Sequence, residues 1–397
     1  MKQKQVRLLQ SQLSDCAQPG TIVADFQTLL DFIGLAGVPV GGKYRLFPMD
    51  EVQRLNARLS RPLSLQLERP QLRSYPNVEG LYLTLRASGM ALIQGGGDKA
   101  HLTIDPAKLE RWNALTFLER YLNLFAIWVL LSSDDMIGDR GRSALENLQW
   151  TWHGRRETVY KVPGNAYMAN GIGRGINMFA MFGMLEITSG PSKRGQGWWP
   201  RKIVQTDFGE AFHAAIRQAI MANDMALILQ RPPAKGPGAV EYLRRLWAEL
   251  FPGWQQLLLS DDPPEIMDGT WLFKVSLPDA WRRLSVPCDL TLADFAPAIC
   301  QAFSFDFDHL YAFTYRERTG AVVTVCDHRE PNEDIPADEV LVGRLPIQAG
   351  DTVQFVYDFG DNWRFTIKAE SLLPKTSKAI RVVKKEGQAP RQYEDWA

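Results

Sequence analysis

The sequence predicts an α+β protein, with a mainly helical N-terminal body followed by a C-terminal α/β roll on a mixed or antiparallel sheet. Three observations carry this expectation. A helix, glycine, strand, turn, strand pattern occurs twice before residue 210, and period-two alternation takes over after residue 270. Between them lies the polar, proline-bearing segment Ser260-Asp261-Asp262-Pro263-Pro264-Glu265.

At 397 residues, 45% apolar and 23% charged, the chain has the composition of an ordinary folded protein, and two or three domains are expected. The boundaries fall at 1–135, 136–259, a linker at 260–269, and 270–397. Formal net charge is zero, so the whole chain lacks the basic balance of a nucleic-acid binder. Cys16, Cys288, Cys300 and Cys326 form no C-x-x-C pair, which points to reduced thiols. The polar N-terminus carries no signal-peptide core, and the longest apolar run, Leu122 to Leu131, is about half a membrane span. A cytoplasmic, bacterial protein is the expectation.

Helical periodicity opens the chain at Thr21–Ile33 and again at Asp50–Leu59 behind Pro48. The first repeat has a helix from about Glu79 to Ala87, the stop Ser88-Gly89-Met90, strand Ala91–Gln94, a glycine turn at Gly95–Asp98, and strand His101–Ile104. The second has a helix from about Ile176, the stop Phe182-Gly183-Met184, strand Leu185–Thr188, a loop to Gly197, and strand Lys202–Gln205. Each feeds a further helix, Leu109–Leu131 and Phe208–Leu229. Glycine ends a helix by accepting a left-handed conformation, and the apolar segments after it pair across a turn.

Helices followed by a small two-stranded wing resemble tandem winged-helix-like units. Gln205-Thr206-Asp207-Phe208-Gly209 adds the Thr-x-x-Gly turn common before the last helix of such regulators. Between Gly138 and Lys202 there are ten Lys/Arg against four Asp/Glu. Arg155, Arg156, Lys193, Arg194, Arg201 and Lys202, interleaved with Trp198 and Trp199, are therefore the nucleic-acid candidates. The bland alternative is a solvated basic face with its tryptophans packed on their own domain.

The C-terminal module reverses the charge, with 23 acidic and 15 basic residues from Asp261 onward. Trp271–Leu277 alternates with period two and Arg282–Val286 returns from it. Thr291 and Asp294 make a capping-box pattern for a helix running to Phe303. Strands are expected at Leu310–Arg316, Val322–Cys326, Thr352–Tyr357 and Arg364–Ala369.

Three ordered motifs stand in this module. They are Trp281-Arg282-Arg283-Leu284-Ser285-Val286-Pro287, His309-Leu310-Tyr311-Ala312-Phe313, and Tyr357-Asp358-Phe359-Gly360-Asp361-Asn362-Trp363. Together they resemble the plasmid pRiA4b ORF-3-like family, whose members include insertion-element passenger proteins of the TnpR family. The resemblance covers the C-terminal third and implies a compact α/β roll, with no defined activity. Members carry a histidine where this chain has Phe365, and many end in Pro-Pro-Glu-Asp-x-Gly-Gly, where this chain has Gly387-Gln388-Ala389-Pro390-Arg391-Gln392-Tyr393. A metal or catalytic role resting on those groups does not transfer.

Read on its residues, the signature is a hairpin turn in which Gly360 takes a positive φ, Asp358 and Asp361 hold backbone amides, and Tyr357, Phe359 and Trp363 fill space. The sharper reading makes Trp281, Arg282, His309, Tyr357, Asp358, Gly360, Asp361 and Trp363 a recognition surface. No H-E-x-x-H, G-x-S-x-G or Walker loop is present, and Asp358-Phe359-Gly360 lacks the other kinase motifs. Asp306, Asp308 and His309, with Cys326, Asp327, His328 and Glu330, would suffice for a mixed-ligand metal only if two loops met. No catalytic residue, metal or cofactor is assigned. The leading expectation is a non-enzymatic binding or adaptor protein, mobile-element- or defence-associated, with a protein partner at the C-terminal module. A DNA-binding regulator using the basic middle region is the alternative, and a metal-dependent hydrolase the second alternative.

Overall fold

The computed structural model describes residues 1–14, 17–94, 100–138, 157–159, 172–221, 237–259, 266–317, 319–329, 335–374 and 378–393. The chain divides into two compact units between Asp261 and Asp262. The fold is α+β, with its helices mostly in the first unit and an eight-stranded sheet in the second.

The N-terminal unit runs α1 Gln3–Gln12, α2 Ile22–Ile33, β1 Val38–Pro39, α3 Met49–Arg58, α4 Pro76–Ala87, β2 Ala91–Gln94 and β3 His101–Ile104. It continues through α5 Pro106–Ala114, α6 Phe117–Leu131, β4 Glu157–Val159, α7 Ile172–Met181, β5 Leu185–Ser189, β6 Pro200–Gln205, α8 Asp207–Met221 and α9 Pro237–Leu246. Both expected hairpins form, and each gains a third strand that periodicity could not reveal. The sheet orders are β1-β3-β2 and β4-β6-β5, with β1 and β4 too short to alternate visibly. The turn at Gly95–Asp98 and the helix end beyond Met221 lie outside the described residues.

The two repeats agree at the level of single hydrogen bonds. Gly89 and Gly183 stop their helices at φ +64° and +77°, each followed by a fully buried methionine, Met90 or Met184. The Asp105 amide donates to the Met90 carbonyl at 2.8 Å, and the Thr206 amide to the Met184 carbonyl at 3.1 Å. Each residue then caps the next helix. Asp105 accepts from the Ala107 and Lys108 amides, and the Thr206 hydroxyl from the Gly209 amide at 2.8 Å.

The helix expected over Leu109–Leu131 is two helices. Thr116 and Glu119 form a capping box that starts α6, while the buried Glu119 carboxylate also accepts from the Gln255 and Gln256 amides. Helices from both repeats share one core. Every residue of α4 is buried, and α4 packs on α7, with the Asn177 side-chain amide donating to Asn77 Oδ1 at 2.8 Å.

The C-terminal unit has strands β7 Thr270–Ser276, β8 Trp281–Pro287, β9 Tyr311–Arg316, β10 Val322–Cys326, β11 Ile335–Pro336, β12 Thr352–Tyr357, β13 Trp363–Leu373 and β14 Arg381–Glu386. Their order is β11-β10-β9-β12-β13-β7-β8-β14, antiparallel except for the β10–β11 pair. The edge strands β11 and β14 were not expected from sequence. Helix α10, Leu292–Ala302, starts at the anticipated Thr291–Asp294 capping box. It covers one sheet face, and Phe273, Phe295, Phe313, Phe355 and Phe365 interlock between them. No helix among the described residues is long and apolar enough to cross a membrane.

Candidate functional site

The signature hairpin joins β12 to β13, and the conformation of its turn differs from the sequence expectation. Positive φ falls on Asp358 (+56°) and Asn362 (+57°), not on Gly360. Asp and Asn tolerate this region because their short polar side chains bond locally. Asp358 Oδ1 accepts from the Gly360 amide at 2.9 Å and the Asp361 amide at 3.3 Å, and a Cβ on Gly360 would lie 3.2 Å from that oxygen. Glycine there serves close approach. Asp361 was expected to hold backbone amides as well, but it is exposed and both turn amides go to Asp358. Phe359 is also not space-filling, being 47% exposed.

Tyr357 is fully buried and organises the neighbouring loop. Its hydroxyl accepts from the Asp308 amide at 2.8 Å and the His309 amide at 3.1 Å, and its proton is shared between the Asp306 carbonyl (2.6 Å) and Asp308 Oδ1 (3.0 Å). His309 Nε2 then sits 3.4 Å from Asp358 Oδ2 and 3.6 Å from Asp308 Oδ1. Thus His309, Tyr357 and Asp358 do come together, although 48 residues separate the first two. Trp363 packs edge-on against Phe305, its ring centroid 4.9 Å away.

The C-terminal tail completes the arrangement, and local sequence carries no hint of it. Gln392 accepts from the Asp306 amide at 2.5 Å, and its own amide donates to the Tyr393 hydroxyl at 2.9 Å. Tyr393 in turn donates to Asp308 at 3.0 Å. Burial works to raise Asp308, but hydrogen bonds from Tyr393 and Tyr357 and the nearby His309 outweigh it and hold the carboxyl below its usual range. Burial first, and then Asp308, push Tyr393 up to about 12, so its phenol remains a donor. Phe307, 39% exposed, stacks on Tyr357, and Tyr393 is 44% exposed.

The two loops weighed as metal ligands do meet, through Arg329. Its guanidinium binds Asp327 at 2.8 and 3.0 Å and reaches the His309 carbonyl at 3.3 Å. That hydrogen bonding holds Asp327 below the usual carboxylate range. Among the described residues no three His, Cys, Asp or Glu side chains are placed to share one ion, and Glu330 lies outside them. Burial pushes the Cys300 thiol up to about 12 and leaves it inert at neutral pH.

Trp281 and Arg282 lie away from this loop cluster on β8. Arg282 is buried, donating to the carbonyls of Ala302, Trp281, Glu386 and Gly387 and lying 4.7 Å from the Phe303 ring centroid. It ties the end of α10 to β14 and presents nothing to a partner. Trp281 is half-buried on the sheet face opposite α10.

Six of the eight nucleic-acid candidates lie on one hairpin, β5–β6 and its loop. Arg155 and Arg156 lie outside the described residues. Arg194 pairs with Glu68 at 3.2 Å on the surface, while Lys193 and Arg201 are exposed and Lys202 is half-buried. Trp199 is buried against Gly190, where a Cβ would come 2.1 Å from its ring. Trp198 donates to the Ser189 hydroxyl at 2.9 Å. The tryptophans therefore serve their own hairpin.

A crystal structure of a protein of unknown function from Methanosarcina mazei Go1 is 22% identical, covering 32% of this chain and 74% of that one at a TM-score of 0.28. No curated protein matches the chain. The family model of plasmid pRiA4b ORF-3-like protein matches residues 272–396, so it is the C-terminal third that carries this family's pattern, in the region its three motifs mark.

Proposed function

We propose that the protein is a non-enzymatic binding or adaptor protein, of mobile-element- or defence-associated kind, that engages a macromolecular partner through the signature loops of its C-terminal unit. The observation supporting this is how the loops use their polar groups. The Tyr357 hydroxyl, the Asp358 carboxylate and the Asp308 carboxylate are spent on holding backbone and tail in place, while Phe307, Phe359 and Tyr393 face solvent. A shaped loop with an aromatic rim is suited to recognition, where exposed aromatic rings anchor contacts. A photo-crosslinking residue at Phe359 in the producing cell is expected to yield a discrete macromolecular adduct that weakens when Phe307 is changed to Ser. Turnover of a small substrate dependent on His309, with no adduct, would sink this reading.

A DNA-binding regulator is the second reading, favoured by element order. In each repeat a helix, a short strand, one helix or two (α3 and α4 in the first, α7 in the second), a hairpin and a capped helix follow the winged-helix-like plan. Against groove reading, α4 and α7, the helices before the hairpins, are packed on each other. Duplex contact would rest on the basic hairpin. If it binds, affinity falls linearly on log-log salt plots and drops when Lys193, Arg194, Arg201 and Lys202 are neutralised; salt-insensitive or absent binding removes it.

A further inference from the structure

The open face of the C-terminal sheet carries a charge arrangement that neither the family nor the signature loop explains. Lys368 on β13 is in register with Lys274 on β7, Lys274 with Arg283 on β8, and Arg283 with Lys384 on β14. Residues in register share a face, so four cations stand in one row across four adjacent strands, a span of about 14 Å. Trp281, two residues from Arg283 on the same face, has Lys274 Nζ 4.7 Å, Lys384 Nζ 5.3 Å and the Arg283 guanidinium 5.4 Å from its ring centroid. This occurs in a segment with an excess of acidic residues overall.

Like charges directly opposite one another on a sheet are destabilising, so the row calls for a compensating group. Glu370 supplies part, binding Arg283 through two bonds of 2.6 and 2.9 Å, and Glu386 lies 3.9 Å from Lys384. Lys274 and Lys368 have no carboxylate bonded to them among the ion pairs of the described residues, and they share Glu370. Its carboxyl is held below its usual range by the Arg283 hydrogen bonds first and then by the charges of Arg283, Lys274 and Lys368, so one carboxylate serves three of the four cations. Lysine on an edge strand also discourages edge-to-edge pairing, which accounts for Lys384 on β14. It does not account for Lys274 and Lys368, whose strands are interior.

We infer that this sheet face binds single-stranded nucleic acid, with the Lys368–Lys274–Arg283–Lys384 row taking backbone phosphates and Trp281 offering a ring for a base. Among the described residues of the second unit the face is a sheet surface with no helix projecting from it to enter a duplex groove. Cations around an aromatic platform suit a strand whose bases are free to stack. The inference is independent of the signature-loop reading, since it uses side chains on the sheet face, Lys368 of β13 among them, and none of the loop residues Asp308, Phe307, Phe359 or Tyr393.

Fluorescence anisotropy of a labelled oligothymidylate with the intact chain tests it. Lys274→Gln/Lys368→Gln/Lys384→Gln alters exposed or half-exposed side chains and is expected to fold, as circular dichroism will verify. Affinity should fall at least tenfold at low salt, with a log-log salt slope shallower by about 2, near 0.7 for each phosphate no longer neutralised. Trp281→Ala should weaken binding by about tenfold with the slope unchanged. The variant neutralised at Lys193, Arg194, Arg201 and Lys202 should bind like wild type. Equal binding by the triple variant, loss only in the basic-hairpin variant, stronger binding of duplex than of single strand, or equal affinity for polyglutamate would each overturn the inference.

Discussion

At the scale of single residues, the C-terminal site depends on Tyr357 more than on any acidic member of its motif. Its hydroxyl satisfies two part-buried amides and a carbonyl of a loop about fifty residues away in sequence. Tyr357→Phe should therefore cost about 1–2 kcal/mol, the loss of hydrogen bonds to part-buried backbone groups, seen as a lower urea midpoint with an unchanged m-value. A loss under about 0.5 kcal/mol would mean that water replaces the hydroxyl. In the N-terminal unit, burial and then Arg217 lower His213 to about 4. That lies below the ordinary histidine value near 6.5, so the unfolded chain takes up the proton first as pH falls. Stability is full above about pH 6.5 and declines toward about pH 4, by on the order of 1–3 kcal/mol. His213→Asn should flatten that slope; parallel pH profiles for the two proteins would refute the assignment.

Whole elements are set by close backbone approach at glycines, and two of them make a contrast. A Cβ on Gly209, in the first turn of α8, would lie 2.0 Å from the Met184 carbonyl oxygen, which the hairpin holds in place. A Cβ on Gly80 of α4 would lie 2.3 Å from Met178 Sδ, the end of a flexible side chain. Gly80→Ala should thus cost about 1–3 kcal/mol as Met178 moves aside, and Gly209→Ala more than about 3 kcal/mol. Thermal unfolding of the two variants decides it, and equal losses would mean the α4–α7 contact is as rigid as the backbone. Element positions were largely legible here. Glycine stops, capping residues and alternation are local signals, and β2, β3, β10 and β12 fall on the residues expected. Strands β1, β4 and β11 escaped because two or three residues carry no period, and β14 because an edge strand exposed on both faces has no apolar side to alternate.

At the scale of the molecule, the hydrophobic core of the second unit is drawn from its own residues, with Met267 and Ala389 at its sequence extremes. Residues 262–397 expressed alone should therefore unfold cooperatively, with near-ultraviolet circular dichroism of ordered aromatic residues. A non-cooperative melt would show that this core needs the rest of the chain. The sequence by itself determined the α+β class, the repeated helix–hairpin order and the family pattern of the C-terminal third, because each is written in short-range periodicity or contiguous motifs. Only the tertiary structure decided which of the singled-out residues are exposed and which are internal. Arg282 and Trp199 proved to be internal, His309 met Asp358, and the tail residues Gln392 and Tyr393 bonded to Asp306 and Asp308 respectively. Those outcomes depend on strand register and on contacts between residues tens of positions apart, which no local pattern encodes.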